Sequence, residues 1–421
     1  MKIDRGLILA AGVAVAASAC ASAGGTGATA AGTAGTASSA SFPQAACPGG
    51  QPAVTQYATA AQNALNRTMI TRGDAARPFY TTAMEQARAG IAADAANPLH
   101  YYILGNAALG TNNFAAADSA FRRSLELCPQ YAGEVNPLRQ RAALTAFNEG
   151  VEAFNRQDTA AALAQWSTAT QLYPAVPQAH LNQAIIYAGR NDYTRAAAAY
   201  RATLMAVDSA RGDTTVADLA ETRAGALGGL VSVGANLFQQ NQFQQAADLF
   251  AAVHATDPNN RDAWYNHALA LYKLERWQQL VPVATRVVQI DPLNYNARII
   301  LFNAYKGLSD AAKTARNTAV ENTNRQLALT TLTEADQLPV QVDQVQLRLE
   351  EGSASITGQV RGANARPGTP IRLDFTFFGP TGPVGTQTVT VPAPAKDAAT
   401  PFTATLATPS PVSGWSYRVG S

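Results

Sequence analysis

The residues of this 421-residue chain best equipped for chemistry are three cysteines and four histidines. Their spacing decides how much chemistry is available. His100, His180, His254 and His267 are scattered, no His-Glu-x-x-His pattern occurs, and no two cysteines stand at metal-ligand spacing. No Gly-x-Ser-x-Gly nucleophile elbow is present, and Ser410-Pro411 reads as a turn. The glycine-rich stretch Gly225–Gly229 follows no strand, so close helix packing explains it better than a bound phosphate. These observations point to a protein that is not an enzyme, with no metal and no cofactor.

Cys20 suggests a different chemistry. Lys2 and Arg5 precede an apolar run from Leu7 to Ala17 that is too short to span a bilayer, so residues 1–19 read as a signal peptide. Ala17-Ser18-Ala19-Cys20 resembles the lipobox of bacterial lipoproteins, with Ala17 where that family usually has Leu, Val or Ile. The resemblance implies lipidation of Cys20 and membrane attachment through the N-terminal lipid. Ala21, where an Asp would favour inner-membrane retention in some bacteria, points to the outer membrane facing the periplasm. Ordinary cleavage after Ala19 or Ala23, releasing a soluble exported protein, is the alternative. Residues 20–51 are mostly Gly, Ala, Ser and Thr and read as a flexible tether. With Cys20 acylated, Cys47 and Cys128 remain as an even pair in an oxidising compartment. Either they form a disulfide, or Cys128 is a small buried residue and Cys47 is free.

Composition narrows the partner class. The formal net charge is +2, 14% of residues are charged and 47% are hydrophobic, with no basic run and no aromatic-basic interleaving. That excludes wholesale disorder and gives no footing for nucleic acid.

The elements that hold these residues repeat. At a shift of 34 residues Leu230/Trp264, Gly234/Ala268, Leu237/Leu271, Ala246/Leu280, Phe250/Ala284, Val253/Val287 and Pro258/Pro292 match in type. The same register carries Tyr101, Leu104, Gly105, Ala117, Phe121 and Pro129, then Gly150, Phe154, Ala162, Trp166 and Pro174, then Ala184, Tyr187, Ala196 and Tyr200. This pattern resembles the tetratricopeptide repeat from about Pro98 to Gly307, and implies an all-α solenoid over residues 52–338. A capping pair is expected at Val54–Thr68 and Pro78–Ala95, and an insertion at Asp208–Leu227. Tyr295–Gly307 reads as the last first helix, and Ser309 as the N-cap of a closing helix that reaches about Gln337.

The resemblance also implies a concave surface lined by first-helix residues. Here these fall on Leu99, Tyr102, Leu109, Leu144, Phe147, Val151, Phe154, Leu181, Ile185, Val231, Phe238, Tyr265, Leu269 and Tyr272, an apolar lining suited to a protein or peptide segment. Asn148, Asn182 and Asn266 match the asparagine of the family's carboxylate clamp, but Phe147, Leu181 and Tyr265 stand where its lysines would be, so the clamp pattern is broken. Apolar residues at helical spacing also describe a core, so a surface covered by the chain itself stays open as the alternative.

At Pro339 the period changes to two. About seven alternating strands with Pro/Gly turns predict a small β-sandwich over residues 339–421, giving an α+β multidomain chain. The pattern resembles bacterial immunoglobulin-like envelope modules. Its Arg348, Arg361, Arg366 and Arg372 could meet an anionic glycan or a protein, or simply form a solvated face. The sequence therefore supports an exported, lipid-anchored scaffold that binds an envelope protein or peptide segment. The alternatives are an accessory subunit of an envelope assembly, export or pilus machine, and a purely structural protein. The oligomeric state is left open.

Overall fold

The computed structural model describes residues 42–71, 73–210, 218–350, 352–379 and 382–420. The signal peptide, Cys20, most of the tether and residues 211–217 of the insertion lie outside the described residues. The chain divides into two compact units, residues 19–183 and 184–421 as far as described, with the division inside the seventh helix.

The first unit holds α1 (Gln56–Thr68), α2 (Arg77–Ala93), α3 (Pro98–Leu109), α4 (Phe114–Leu127), α5 (Ala132–Asn155), α6 (Thr159–Leu172) and the start of α7 (Pro177–Gly189). The second holds the rest of α7, α8 (Tyr193–Ser209), α9 (Leu219–Gln239), α10 (Phe243–Thr256), α11 (Arg261–Lys273), α12 (Trp277–Ile290), α13 (Tyr295–Thr314) and α14 (Thr318–Asp336). Six strands follow. The α+β class is as the sequence indicates.

One turn design closes six of the seven helix pairs. A residue with left-handed backbone ends the first helix: Asn112, Gln157, Asn191, Asn241, Glu275 or Arg316, all with φ between 55° and 64°. The next residue leads into the second helix, and where it is Asn113, Asp158, Asp192 or Asn317 its side chain accepts a backbone N–H of the first turn. The α1–α2 turn, residues 69–76, is longer and built differently. In three pairs a first-helix glycine, Gly105, Gly150 or Gly234, faces a ring of the second helix. A Cβ on Gly150 would lie 2.4 Å from the Trp166 indole nitrogen, and one on Gly234 would lie 2.7 Å from the Phe250 ring. Only glycine allows so close an approach.

Three expectations need correction. Ser309 is not an N-cap: it lies inside α13, and its hydroxyl donates to the Glu321 carbonyl at 3.1 Å. The break falls at Arg316, with Asn317 as the cap. Residues 42–51, expected within the tether, are tied to the helices: Phe42 packs on the α1–α3 core and a disulfide joins Cys47 to Cys128, which is buried. Among the described residues the β region has six strands, because Val340–Val342 and Val345–Leu349 form one strand, β1 (Val340–Glu350), kinked by a bulge between Asp343 and Gln346, where Gln344 has φ 53°.

β1 pairs with β2 (Ser353–Gly362), which pairs with β5 (Ala399–Ala407). In the other sheet β3 (Pro370–Gly379) lies between β4 (Gly382–Pro392) and β6 (Gly414–Val419), and all pairings are antiparallel. Phe375 is the hub of the sandwich core, with its ring centroid 5.5 Å from Phe402, 6.2 Å from Trp415 and 5.2 Å from Tyr417.

The sandwich is seated on two homologous turns, Asp257-Pro258-Asn259-Asn260 and Asp291-Pro292-Leu293-Asn294. Backbone N–H groups of Trp415 and Val342 donate to Asn259 and Leu293 carbonyls at 3.2 and 3.0 Å. The Tyr417 hydroxyl donates to Asp291 at 2.8 Å and accepts from the Leu293 N–H at 2.9 Å. Arg261 reaches the same carboxylate at 2.7 Å, with its guanidinium 4.5 Å from the Tyr265 ring and 5.5 Å from that of Trp415. Burial alone would pull the Arg261 pKa down, but Asp291 and Asp262 hold it above its ordinary value. Burial, then the charge of Asp291, pushes Tyr417 well up, so it stays a neutral donor.

Candidate protein-binding surface

The fourteen apolar first-helix residues divide by burial. Leu99, Leu181, Val231, Tyr265 and Leu269 are buried, and they are core residues rather than a lining open to a partner. The cause is packing by adjoining helices. Leu99, only 1% exposed, sits among Ala58, Ala61 and Leu65 of α1 and Ala83 and Ala87 of α2. Tyr265 and Leu269 join Leu280, Ala284, Val287 and Ile300 of α12 and α13, with Arg261 over the tyrosine ring.

Tyr102, Leu109, Phe147, Val151, Phe154, Ile185, Phe238 and Tyr272 are half-buried. Several are braced by neighbouring rings. Tyr102 meets Tyr131 edge-on at 6.0 Å, Phe154 lies 5.9 Å from Trp166, Phe238 meets Phe243 at 5.0 Å, and Tyr272 meets Trp277 at 5.8 Å. Burial, then Glu134, raises the Tyr102 pKa, so its hydroxyl remains protonated at neutral pH.

Within the first unit the half-buried residues concentrate on α5. Leu144, Phe147, Val151 and Phe154 recur at steps of three and four and form one stripe, about 15 Å long from first to last at the helical rise. Leu144 is 48% exposed and the other three are half-buried. The stripe is held from below, where Trp166 packs against Phe154 and donates its indole N–H to the Phe147 carbonyl at 3.2 Å. Asn148 and Glu152 beside it are exposed, giving a polar rim. Such an arrangement can bury apolar side chains of a partner at its centre while charges such as Glu152, 3.9 Å from Arg156, stay at the solvated rim.

The histidines are closer together than their sequence positions suggest. His254 on α10 and His267 on α11 face each other with Nε2 and Nδ1 2.9 Å apart, and His254 stacks on Trp264 at 3.6 Å. Burial, then His267, lowers the His254 pKa to about 4, and burial lowers that of His267 to about 4. The pair is therefore a neutral donor–acceptor contact between adjoining helices. His100 meets the Thr55 hydroxyl at 2.8 Å, and His180 lies 3.0 Å from the Pro174 carbonyl. Among the described residues no group of three or more His, Cys, Asp or Glu is placed to hold a metal ion.

In the sandwich, Arg361 pairs with Asp343 at 3.0 Å and Arg372 with Asp374 at 2.9 Å, while Arg348 and Arg366 are exposed. The four do not act as one basic site. Reading the sequence missed the buried Arg261–Asp291–Tyr417 seat. Its signal was the Asp-Pro-x-Asn repeat at positions 257 and 291, of which only the prolines were used.

Residues 147–213 and 234–294 match one tetratricopeptide repeat family model, and residues 101–131 match another. These stretches are tetratricopeptide repeats. Similar solved structures include MamA (41-end) from Desulfovibrio magneticus, 18% identical over 47% of this chain and 94% of that one, with a TM-score of 0.27. A tetratricopeptide repeat protein from Parabacteroides merdae is 12% identical over 66% of this chain and 99% of that one, TM-score 0.20. The TPR2AB domain of yeast Sti1, solved with pHSP90, is 13% identical over 66% and 98%, TM-score 0.19. No curated protein matches the sequence.

Proposed function

We propose that this protein is an exported, lipid-anchored scaffold whose tetratricopeptide repeats bind an apolar or amphipathic segment of another cell-envelope protein. The observation that carries the binding role is the α5 stripe, an apolar row on a first helix, partly open to solvent and rimmed by polar residues and by charges of both signs, Glu152 with Arg156 among them. Export and anchoring rest on the leader and Cys20 in the sequence. The Cys47–Cys128 disulfide supports the same reading, since such bonds persist in oxidising compartments.

Two measurements on the native-source protein test this. Mass spectrometry of the N-terminal peptide should find acyl mass on Cys20, and unmodified Cys20 or a soluble mature chain would remove the anchor. Crosslinking on intact cells should give a discrete partner that Phe147→Arg with Phe154→Arg abolishes at unchanged helix content. Equal capture by the double variant would remove the stripe.

A further inference from the structure

We infer that the α1–α2 turn is a membrane-contact tip that takes the headgroup region of an anionic bilayer. At the six other closing turns the left-handed residue is polar or charged: Asn112, Gln157, Asn191, Asn241, Glu275 or Arg316. At the first pair α1 is instead followed by Met69 and Ile70, which are 46% and 86% exposed, and Ile70 is the most exposed of the large hydrophobic residues described. They are not on a loose loop. The Met69 N–H donates to the Asn66 carbonyl at 3.2 Å and the Ile70 N–H to that of Arg67 at 3.3 Å, so the last turn of α1 holds both side chains out in water.

Charge selects the occupant. The sequence from Arg67 to Arg77 carries three arginines against Asp74 alone, a formal +2, while the rest of the chain beyond the leader carries a formal −1. Arg67 and Arg77 are exposed, and the Arg67 guanidinium lies 5.7 Å from the Phe79 ring. Two large apolar side chains with arginines on either side match the boundary between acyl chains and anionic headgroups, where each component is favourable. The inference rests on the proposed anchoring for how the chain comes to the membrane. The reach allows it: the chain between Cys20 and Cys47 can span at most about 90 Å, against about 20 Å for the length of α1.

The test places an environment-sensitive nitrobenzoxadiazole label on the full chain carrying Cys20→Ser and Ile70→Cys, in which Cys47 and Cys128 are joined. With vesicles of phosphatidylethanolamine and phosphatidylglycerol at roughly three to one, emission should shift to the blue and brominated acyl chains should quench it. A label at Gln157→Cys, in the matching α5–α6 turn, should not respond. Adding Arg67→Glu and Arg77→Glu should raise the lipid concentration for half-maximal response about tenfold or more. Water-like emission at position 70 with every vesicle would overturn the inference, as would a response only to an added envelope protein. An equal response to phosphatidylcholine vesicles would overturn its anionic part. Acyl mass on wild-type Cys20 with a silent label would leave the anchor standing and remove the tip, and a responding label without acyl mass would do the reverse.

Discussion

At the scale of single residues, the protein's polar chemistry is spent on holding elements together. His254 and His267 lose their protons at about 4 when folded, against 6.5 for an ordinary histidine. The folded chain thus binds fewer protons than the unfolded chain between those values. Stability from the pair is complete above about 6.5 and falls as pH drops toward 4. His180, lowered by burial, contributes in the same direction. Thermal melts should show a lower Tm at pH 4.5 than at pH 7, and His254→Gln with His267→Leu should flatten that dependence. An unchanged slope would show that other groups carry it. The second residue-scale case is Tyr417, whose hydroxyl serves both Asp291 and the Leu293 N–H. Tyr417→Phe leaves a buried acceptor and a buried donor short of a partner and should cost about 1–3 kcal/mol in denaturant unfolding. A loss under about 0.5 kcal/mol would mean that water enters the seat.

At the scale of elements, the glycine–ring crossings set how closely helices pair. Gly234→Ala drives a Cβ into the Phe250 ring and should destabilise by about 1–3 kcal/mol. Gly133→Ala, near the start of α5 with nothing within 4 Å, should be neutral or stabilise by up to about 1 kcal/mol. Equal effects in chemical denaturation would mean the crossings are looser than drawn. Much at this scale was legible in the sequence. The 34-residue register marked Gly150, Trp166, Gly234 and Phe250 as repeat positions, and the change of period at Pro339 placed the first strand. The misreadings have physical causes. Arg316 adopts a left-handed conformation that its residue type does not announce, so the helical pattern ran on and Ser309 was taken for the cap. Gln344 does the same in β1, so one bulged strand read as two. Burial of Leu99, Tyr265 and Leu269 was not legible, because periodicity marks an apolar face without saying whether another helix covers it.

At the scale of the whole molecule, the second unit joins repeats and sandwich through a buried seat rather than a free linker. Asn259 and Leu293 supply backbone partners to β6 and β1, and a Cβ on Gly414 would lie 2.2 Å from the Asn259 carbonyl oxygen. The sandwich and helices α8–α14 should therefore unfold together. Calorimetry of Arg261→Met, which leaves Asp291 without its buried cation, should show loss of about 3–5 kcal/mol across that whole unit. A separate, unshifted sandwich transition would contradict the coupling. The first unit presents the α5 stripe, and the binding role depends on it. The most direct test puts a photo-crosslinking amino acid at Leu144 on the stripe, and at Gln157 as a control, in protein expressed in intact cells of its native type. The account predicts a discrete crosslinked envelope protein from position 144 that is absent from position 157. Crosslinks from 144 only to this chain itself, or the same products from both positions, would contradict it.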